Sequence, residues 1–497
     1  MDKPSGDDDR FAPSRERFEA LLVFLGRDRA AALSHADIED HLDTAGRELL
    51  RQLFQDHLDL RAVLEARLDE VVDVAGVDHR NVEAGHSRAL TTIFGEVRVE
   101  RLAYRRRGSA NLHPADAVLN LPEEKHSHGL RRLAAIEASR GSFDAAAEAI
   151  KRATGARVGK RQVEQLAGDA AVDIADFYDT FAPEPGYDGD TLVLSCDGKG
   201  IVMRPDSLRP ATEKAAATAT SKLDRRLSKG EKRYRKRLAE VGAVYDITPV
   251  VRTPGDIMGP HHESTPAPVT KGKWVTASVV DDAAQVVTAI FDEAHRRDPR
   301  HRRQWIALVD GNNHQIDRIE AEAAARDIPV TIIIDLIHVI EYLWGAAWCF
   351  FPEADPAAET WVRTKALAIL EGNALHVAAG IRRRATTTGL APAKRKNADT
   401  CTTYLTNKAP YLNYPQALAA GWPIATGVIE GACRFLVADR MDITGARWSA
   451  EGAEAILKLR SVRSNRDFDD YWEFHLDQER RRVHESRYAN NIIPLAA

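Results

Sequence analysis

From Ser14 to about residue 75 the apolar positions recur at helical spacing: Phe18, Leu21, Leu22 and Leu25, then Leu49, Leu50, Leu53 and Phe54. That spacing predicts helices. At Thr91 the period changes. Ile93–Arg107 alternates apolar and polar residues, with Gly95-Glu96 near its start, and leaves through the cationic Arg105-Arg106-Arg107. Alternation predicts a strand or hairpin. Helices return after about Ser127. Ser142–Leu166 reads as a helix, a short turn around Thr154-Gly155, and a second helix opening at Gly159-Lys160-Arg161. This is a helix-turn-helix pattern with Lys160 and Arg161 where base and phosphate contacts would fall. An ordinary helical hairpin gives the same pattern.

Pro183–Asp190 is a linker by composition. An α/β pattern follows it. Leu192-Val-Leu-Ser-Cys-Asp197 reads as a buried strand ending in an acid. Val241–Asp246 and Trp274–Val280 read as further strands, then a helix over 281–295, a strand at Trp305–Asp310, a helix over 315–326 and a strand at Val330–Ile334. Three strands followed by helix, strand, helix, strand is the order of a mixed-sheet, ribonuclease-H-like domain. Residues 337–414 carry a helical pattern and no strong strand. The expected class is therefore α+β or α/β: a ribonuclease-H-like core with flanking helices, interrupted by an all-α insertion. The expected divisions are a helical region (1–85), a β-hairpin plus helix-turn-helix (86–185), the core in two parts (186–345 and 425–465), the insertion between them (346–424), and a C-terminal helix and tail (466–497).

Composition narrows the class. With 497 residues, 44% hydrophobic and 29% charged, the chain can bury a large core. Its longest apolar runs, such as Val330–Ile334, are far short of the ~20 residues of a membrane span. The acidic start, Met1–Arg10, does not resemble a secretory signal. Cys196, Cys349, Cys401 and Cys433 form no CxxC pair, which excludes a zinc ribbon and fits reduced thiols in a cytoplasmic protein. The net charge of −5 argues against nucleic acid only until it is resolved along the chain. Lys222–Arg237 holds nine Lys/Arg against Asp224 and Glu231, a local +7. Arg296-Arg297, Arg300, Arg302-Arg303, Arg382–Arg384, Lys394–Lys396 and Arg480–Arg482 add smaller clusters. Such runs are either solvated faces or phosphate contacts.

Two acids have a common setting. Asp197 and Asp310 each close an apolar strand, and a glycine follows each, Gly198 and Gly311. Carboxylates at strand ends lie where the backbone turns away and ligands can reach. On neighbouring strands they would approach one another and call for a cation, a role that suits Mg²⁺. Each could instead cap a turn. Glu430 lies in the mostly apolar Gly427–Val437, where burial would demand a partner. It could also be an N-terminal capping glutamate, or pair with Arg434 at i+4.

Leu194-Ser-Cys-Asp-Gly-Lys-Gly-Ile-Val-Met-Arg-Pro205, Ala307–His314, Ile334–Trp344 and Gly427-Val-Ile-Glu-Gly-Ala-Cys-Arg434, extended by Arg440–Trp448, together resemble the ISKra family of bacterial insertion-sequence transposases. The resemblance spans roughly residues 90–490, with its motifs in the family's order. It implies a DDE transposase with catalytic, metal-holding Asp197, Asp310 and Glu430, two Mg²⁺ ions for which Mn²⁺ can substitute, and in-line displacement at phosphorus without a covalent protein–DNA intermediate. Asp335-Leu-Ile-His338 is similar to the C/D-x-x-H element that Mutator-like DDE enzymes place after the second aspartate. Asp335 and His338, with Arg434 and Arg440, are then expected to position phosphate or the DNA strand. Alternatively Asp335 caps its helix and His338 packs internally. Arg440, Arg447 and Trp448 either meet substrate or pack.

The expected DNA contacts are Lys160, Arg161, Arg225, Arg226, Lys232, Arg233, Arg235, Lys236 and Arg237. The expected partners are double-stranded DNA (element ends and target) and further copies of the chain, with no membrane and no small-molecule substrate. The expected location is the bacterial cytoplasm, at the nucleoid. A host nuclease on the same fold, or a DNA-binding regulator with an inert α/β scaffold, are the competing readings. If Glu430 lies away from the aspartates, Asp439 or Glu451 becomes the candidate third acid.

Overall fold

A computed structural model describes residues 10–494 apart from 184–185, 219–231, 233–234, 260–264, 426 and 444. The chain forms two compact units. One comprises Met1–Asp179 with Asp467–Ala497, the other Thr180–Arg466.

The first unit opens with helices α1 (Ala12–Leu25), α2 (Asp28–Ala31) and α3 (His35–Leu64). Ser34 and Asp37 start α3 with a capping box, each side chain accepting from the other residue's backbone N–H. Ser14 of α1 bonds Asp56 of α3 through its hydroxyl at 2.5 Å. The helical stretch therefore ends at Leu64, short of the expected residue 75. Two small strands follow, β1 (Val71–Val72) and β2 (Asp78–His79). The alternating segment is a hairpin of β3 (Asn81–Thr92) and β4 (Gly95–Arg105), paired from Asn81↔Arg105 to Thr92↔Gly95. Its first strand begins ten residues before Thr91, because β3's polar positions are solvent-facing and hide its alternation. Leu90, Val97 and Val99 pack with Leu58 of α3 and with Leu121.

After α4 (Pro114–Val118) comes α5 (His128–Arg140), then α6 (Phe143–Thr154) and α7 (Lys160–Asp169), joined by a short turn. Gly155 ends α6 at φ +74°, a left-handed C-cap that costs a residue without Cβ nothing. Val163, Leu166 and Ala167 of α7 are buried, so its basic first turn faces out. α8 (Ile174–Thr180) precedes the linker, whose residues 184–185 lie outside the described ones.

The second unit is built on a five-stranded mixed sheet. Its strands are β5 (Thr191–Val202), β6 (Lys236–Ile247), β7 (Thr270–Ser278), β8 (Trp305–Val309) and β9 (Val330–Ile334), in the order β7-β6-β5-β8-β9. β5, β6 and β7 are antiparallel neighbours, whereas β5–β8 and β8–β9 are parallel. The parallel pair β8–β9 is joined through a helix, as a parallel crossover requires. Helices α9 (Pro210–Ala217) and α10 (Pro254–Met258) lie in the connections of β5–β6 and β6–β7. α11 (Ala283–Arg297) covers the sheet, where Ile290 and Val286 close over Gly242 of β6. α12 (Asn313–Arg326) joins β8 to β9.

One strand differs from its expected bounds. β5 does not stop at Asp197 but runs to Val202, every residue paired in register with β6. Gly198 and Gly200 are not a turn; they leave room for Leu238 and Lys236, which a Cβ would meet at 2.7 and 2.9 Å. Past β9 the described chain is helical: α13 (Leu336–Ala347), α14 (Pro356–Leu370), α15 (Ala374–Thr387), α16 (Pro392–Lys408) and α17 (Tyr414–Ala419). α18 (Val428–Ala432) then passes into a π-helical turn, Cys433–Ala438, and α19 (Asp439–Met441); α20 (Ala450–Asn465) closes the unit. The last α-helix is α21 (Phe468–Val483), which belongs to the first unit. There His475 and Arg482 bond Asp173 (2.6 and 2.9 Å), and Arg131 pairs with Glu479 (3.1 Å). No helix among the described residues is long and apolar enough to cross a membrane.

Candidate active site at the carboxyl ends of the parallel strands

The registers of the three parallel strands place the acids. β5 and β8 pair as Leu194↔Ala307, and β8 and β9 as Val309↔Ile334. Asp197 lies within β5, three residues past its last pairing with β8, and Asp310 and Asp335 directly follow β8 and β9. β5, β8 and β9 are neighbours, so the three acids belong to the region where the parallel strands β8 and β9 end, the edge at which an open sheet offers a ligand site.

Each is held locally. Asp197 accepts the backbone N–H of Gly198 (2.6 Å), and Asp310 that of Asn312 (2.8 Å). Asp335 is the N-cap of α13, accepting from the N–H of Ile337 at 2.7 Å, and is buried. Capping is therefore a role Asp335 does fill. His338 is not packed internally, as one expectation had it; it is half-buried and sits 3.3 Å from Glu341.

Glu430 lies in the first turn of α18 and is exposed, not buried among its apolar neighbours as its setting implied. The helix turns Ala432 and Cys433 inward and leaves the glutamate in solvent. Cys433, three residues on, donates its thiol to the Asp197 carboxylate at 3.3 Å. Glu430 thus starts the turn that docks on Asp197. Arg434 does not pair with Glu430; it is 81% exposed in its side chain and nearest Asp439, at 3.9 Å. Among the described residues no group of three or more His, Cys, Asp and Glu is placed to hold a metal ion.

Sequence reasoning missed three things here. The first is Cys433 itself, whose i+3 spacing from Glu430 was the available signal. Burial, with Asp197 beside it, pushes its thiol far up, so it stays a protonated donor. The second is Glu240 of β6, opposite Gly198, whose carboxyl burial raises, with Asp197 adding to it against the opposing charge of Arg209. The third is the π-turn. Its displaced carbonyls, Phe435 and Leu436, accept from Arg460 of α20 (2.9 Å to Leu436). Such turns recur at functional sites.

Arg440 is not exposed to a phosphate. It is buried, its guanidinium 4.7 Å from the Trp448 ring centroid, and burial with Arg460 nearby brings it down to about 10. Trp448 bonds back to β5 through its N–H to Val202 (3.1 Å) and its carbonyl from Arg204 (2.7 Å). Both residues pack; Arg447 is exposed.

Of the expected DNA contacts, Lys160 is exposed but lies 3.0 Å from Asp144, and Arg161 is exposed. Arg225, Arg226 and Arg233 lie outside the described residues. Lys232 sits 3.5 Å from Asp442. The carbonyl of Arg235 accepts from Met203, and Lys236 and Arg237 begin β6 opposite Val202 and Ile201. Several smaller basic clusters are internal ion pairs instead of open patches. Arg297 bonds Glu293 (2.7 Å) and Asp246 (3.2 Å), Arg303 bonds Asp246, and Arg384 covers Phe350 and Phe351.

No protein-family model matches the chain, and a search of curated proteins finds no match.

Proposed function

We propose that the chain is a DDE-type DNA transposase, its five-stranded sheet a ribonuclease-H-like core and 346–424 an insertion into it. The observation that carries the reading is the parallel adjacency of β5, which carries Asp197, and β8, which Asp310 directly follows, with the turn beginning at Glu430 docked on Asp197 through Cys433. The donor set suits a hard cation: all three candidates offer carboxylate oxygens, and the one sulfur in contact is kept protonated by burial. Asp197, Asp310 and Glu430 would hold Mg²⁺, or Mn²⁺ in its place, and when bound the ions supply positive charge at the phosphoryl oxygens.

The remaining work belongs to the chain itself. Backbone N–H groups of Gly198 and Asn312 and the Cys433 thiol fix the two aspartates before substrate arrives. Glu430, exposed on a helix end, is free to complete the site as DNA docks. The outward first turn of α7 supplies Lys160 and Arg161 toward an element end. Two copies acting on two ends fit a reaction that must cut and join both, in the bacterial cytoplasm.

The test is cleavage and strand transfer on the element's own terminal repeats with Mg²⁺. Asp197→Asn, Asp310→Asn and Glu430→Gln should each abolish both while duplex binding persists. Cleavage without transfer makes the chain a nuclease, and binding with neither makes it a regulator. Activity that survives in Glu430→Gln but not in Glu451→Gln moves the third acid.

A further inference from the structure

A cleft of about 910 Å³ opens beside Asp310. One wall is the Asp310–Asn313 loop, the other α16 of the helical segment. Two tyrosines stand in it. Tyr342 of α13 and Tyr404 of α16 stack with ring centroids 3.9 Å apart and planes 19° apart. The Tyr404 hydroxyl donates to the Asp310 carbonyl at 2.9 Å, so the aromatic pair is fastened to the loop that carries the acid. Buried Lys408 donates to the Asn313 side-chain oxygen and braces the same loop. Gly311 turns that loop at φ +94°, and a Cβ there would meet the Tyr404 hydroxyl at 2.7 Å.

The cleft's charge is also sorted. Asp399 is engaged by Arg395 at 2.9 Å. Lys396, one turn away on α16, is exposed and makes no ion pair among the described residues. An aromatic stack, side-chain amides and an uncommitted ammonium form the donor set for one nucleotide: stacking for the base, amides for its edge, the cation for a phosphate. A base still paired in a duplex cannot turn its face to a tyrosine, so the nucleotide must be unpaired.

We propose that this cleft binds an unpaired nucleotide of a DNA strand whose backbone passes Asp310. The inference rests on the transposase reading for the identity of the strand. It assigns the helical segment a part in holding the substrate.

The experiment is photo-crosslinking of a short single-stranded oligodeoxynucleotide carrying 5-iododeoxyuridine, with peptide mapping, alongside fluorescence anisotropy of the same strand. Crosslinks are expected at Tyr342 or Tyr404. Tyr342→Leu should lose them and bind about tenfold more weakly, whereas Tyr342→Phe keeps both. Lys396→Glu, on an exposed position that does not threaten folding, should weaken binding by a similar factor and flatten its loss with salt. Crosslinks that map elsewhere, or wild-type binding by both Tyr342→Leu and Lys396→Glu, overturn the proposal. So does thymidine monophosphate competing as well as the strand, or tighter binding of the matching RNA. Cleavage is measured separately on terminal-repeat duplex. Crosslinks at the tyrosines without any cleavage leave the cleft standing and sink the transposase reading; cleavage without crosslinks there does the reverse.

Discussion

Asp173 lies at the centre of the buried ionic network that α21 makes in the first unit, and replacing it by asparagine tests the electrostatics of that network. The carboxylate is 3% exposed. Burial by itself raises its pKa, but hydrogen bonds from His475 and Arg482 outweigh burial and bring it from 3.8 down to about 2. A fall of that size corresponds to about 2.5 kcal/mol favouring the ionised folded form, at about 1.36 kcal/mol per unit. The sign is that of a depressed acid. The unfolded chain takes up the proton first on acidification, so the contribution is complete above about pH 4 and is lost as pH falls toward 2. Asp173→Asn keeps the size and one acceptor oxygen but not the charge, leaving His475, fully buried, without its carboxylate. The variant should lose about 2–3 kcal/mol at pH 7 and converge on the parent near pH 2. Urea unfolding at several pH values, followed by hydrogen exchange in peptides of α21, measures the gap. A gap below about 0.5 kcal/mol at pH 7, or one that does not narrow on acidification, refutes the reasoning.

Other expectations concern separate sites. Burial first, then Arg131, brings His128 down to about 4, so the folded chain resists a proton that the unfolded chain accepts; stability should fall between pH 6.5 and 4, and His128→Gln should flatten that decline in pH-dependent melting. Gly242→Val should cost about 1–3 kcal/mol, because even a Cβ would meet Ile290 at 2.5 Å and Val286 at 3.2 Å; an unchanged melting temperature would show that α11 yields freely. On the transposase reading, Cys433→Ala, which removes the thiol donor to Asp197, should lower the DNA cleavage rate about tenfold with little change in KM, while Cys433→Ser retains a donor and most of the rate. Equal rates for both variants would mean the thiol does not position Asp197. Lys160→Ala with Arg161→Ala should reduce the log–log salt slope of duplex binding by about 1–2, and an unaltered slope removes α7 from the DNA contact.

The five strands of the second unit and its helices over 281–295 and 315–326 were legible because their apolar positions follow the period of the element and face a core, as in Trp305–Val309, where all five residues are buried; the short helices Pro210–Ala217 and Pro254–Met258 were not. β3 was only half legible because its outer residues carry no burial signal. The end of β5 was misjudged at Asp197-Gly198 because an Asp-Gly pair in sequence resembles a turn; only β6, pairing residue for residue with it, reveals a continuing strand. Basic clusters were the least legible. Charge shows where an arginine is but not which carboxylate waits for it, as Asp246 does for Arg297 and Arg303.

By itself the sequence determined most of the helices and the strand segments of the second unit, and which acids lie in or beside apolar strands, because periodicity and local composition act over a few residues. Tertiary structure alone decided which acid-bearing strands are neighbours, through inter-strand registers that join residues more than a hundred positions apart, Leu194 with Ala307. It also exposed Glu430, buried Arg440 against Trp448 and brought Cys433 to Asp197. Burial and charge pairing depend on what folds over a residue from elsewhere in the chain, and no local pattern carries that information.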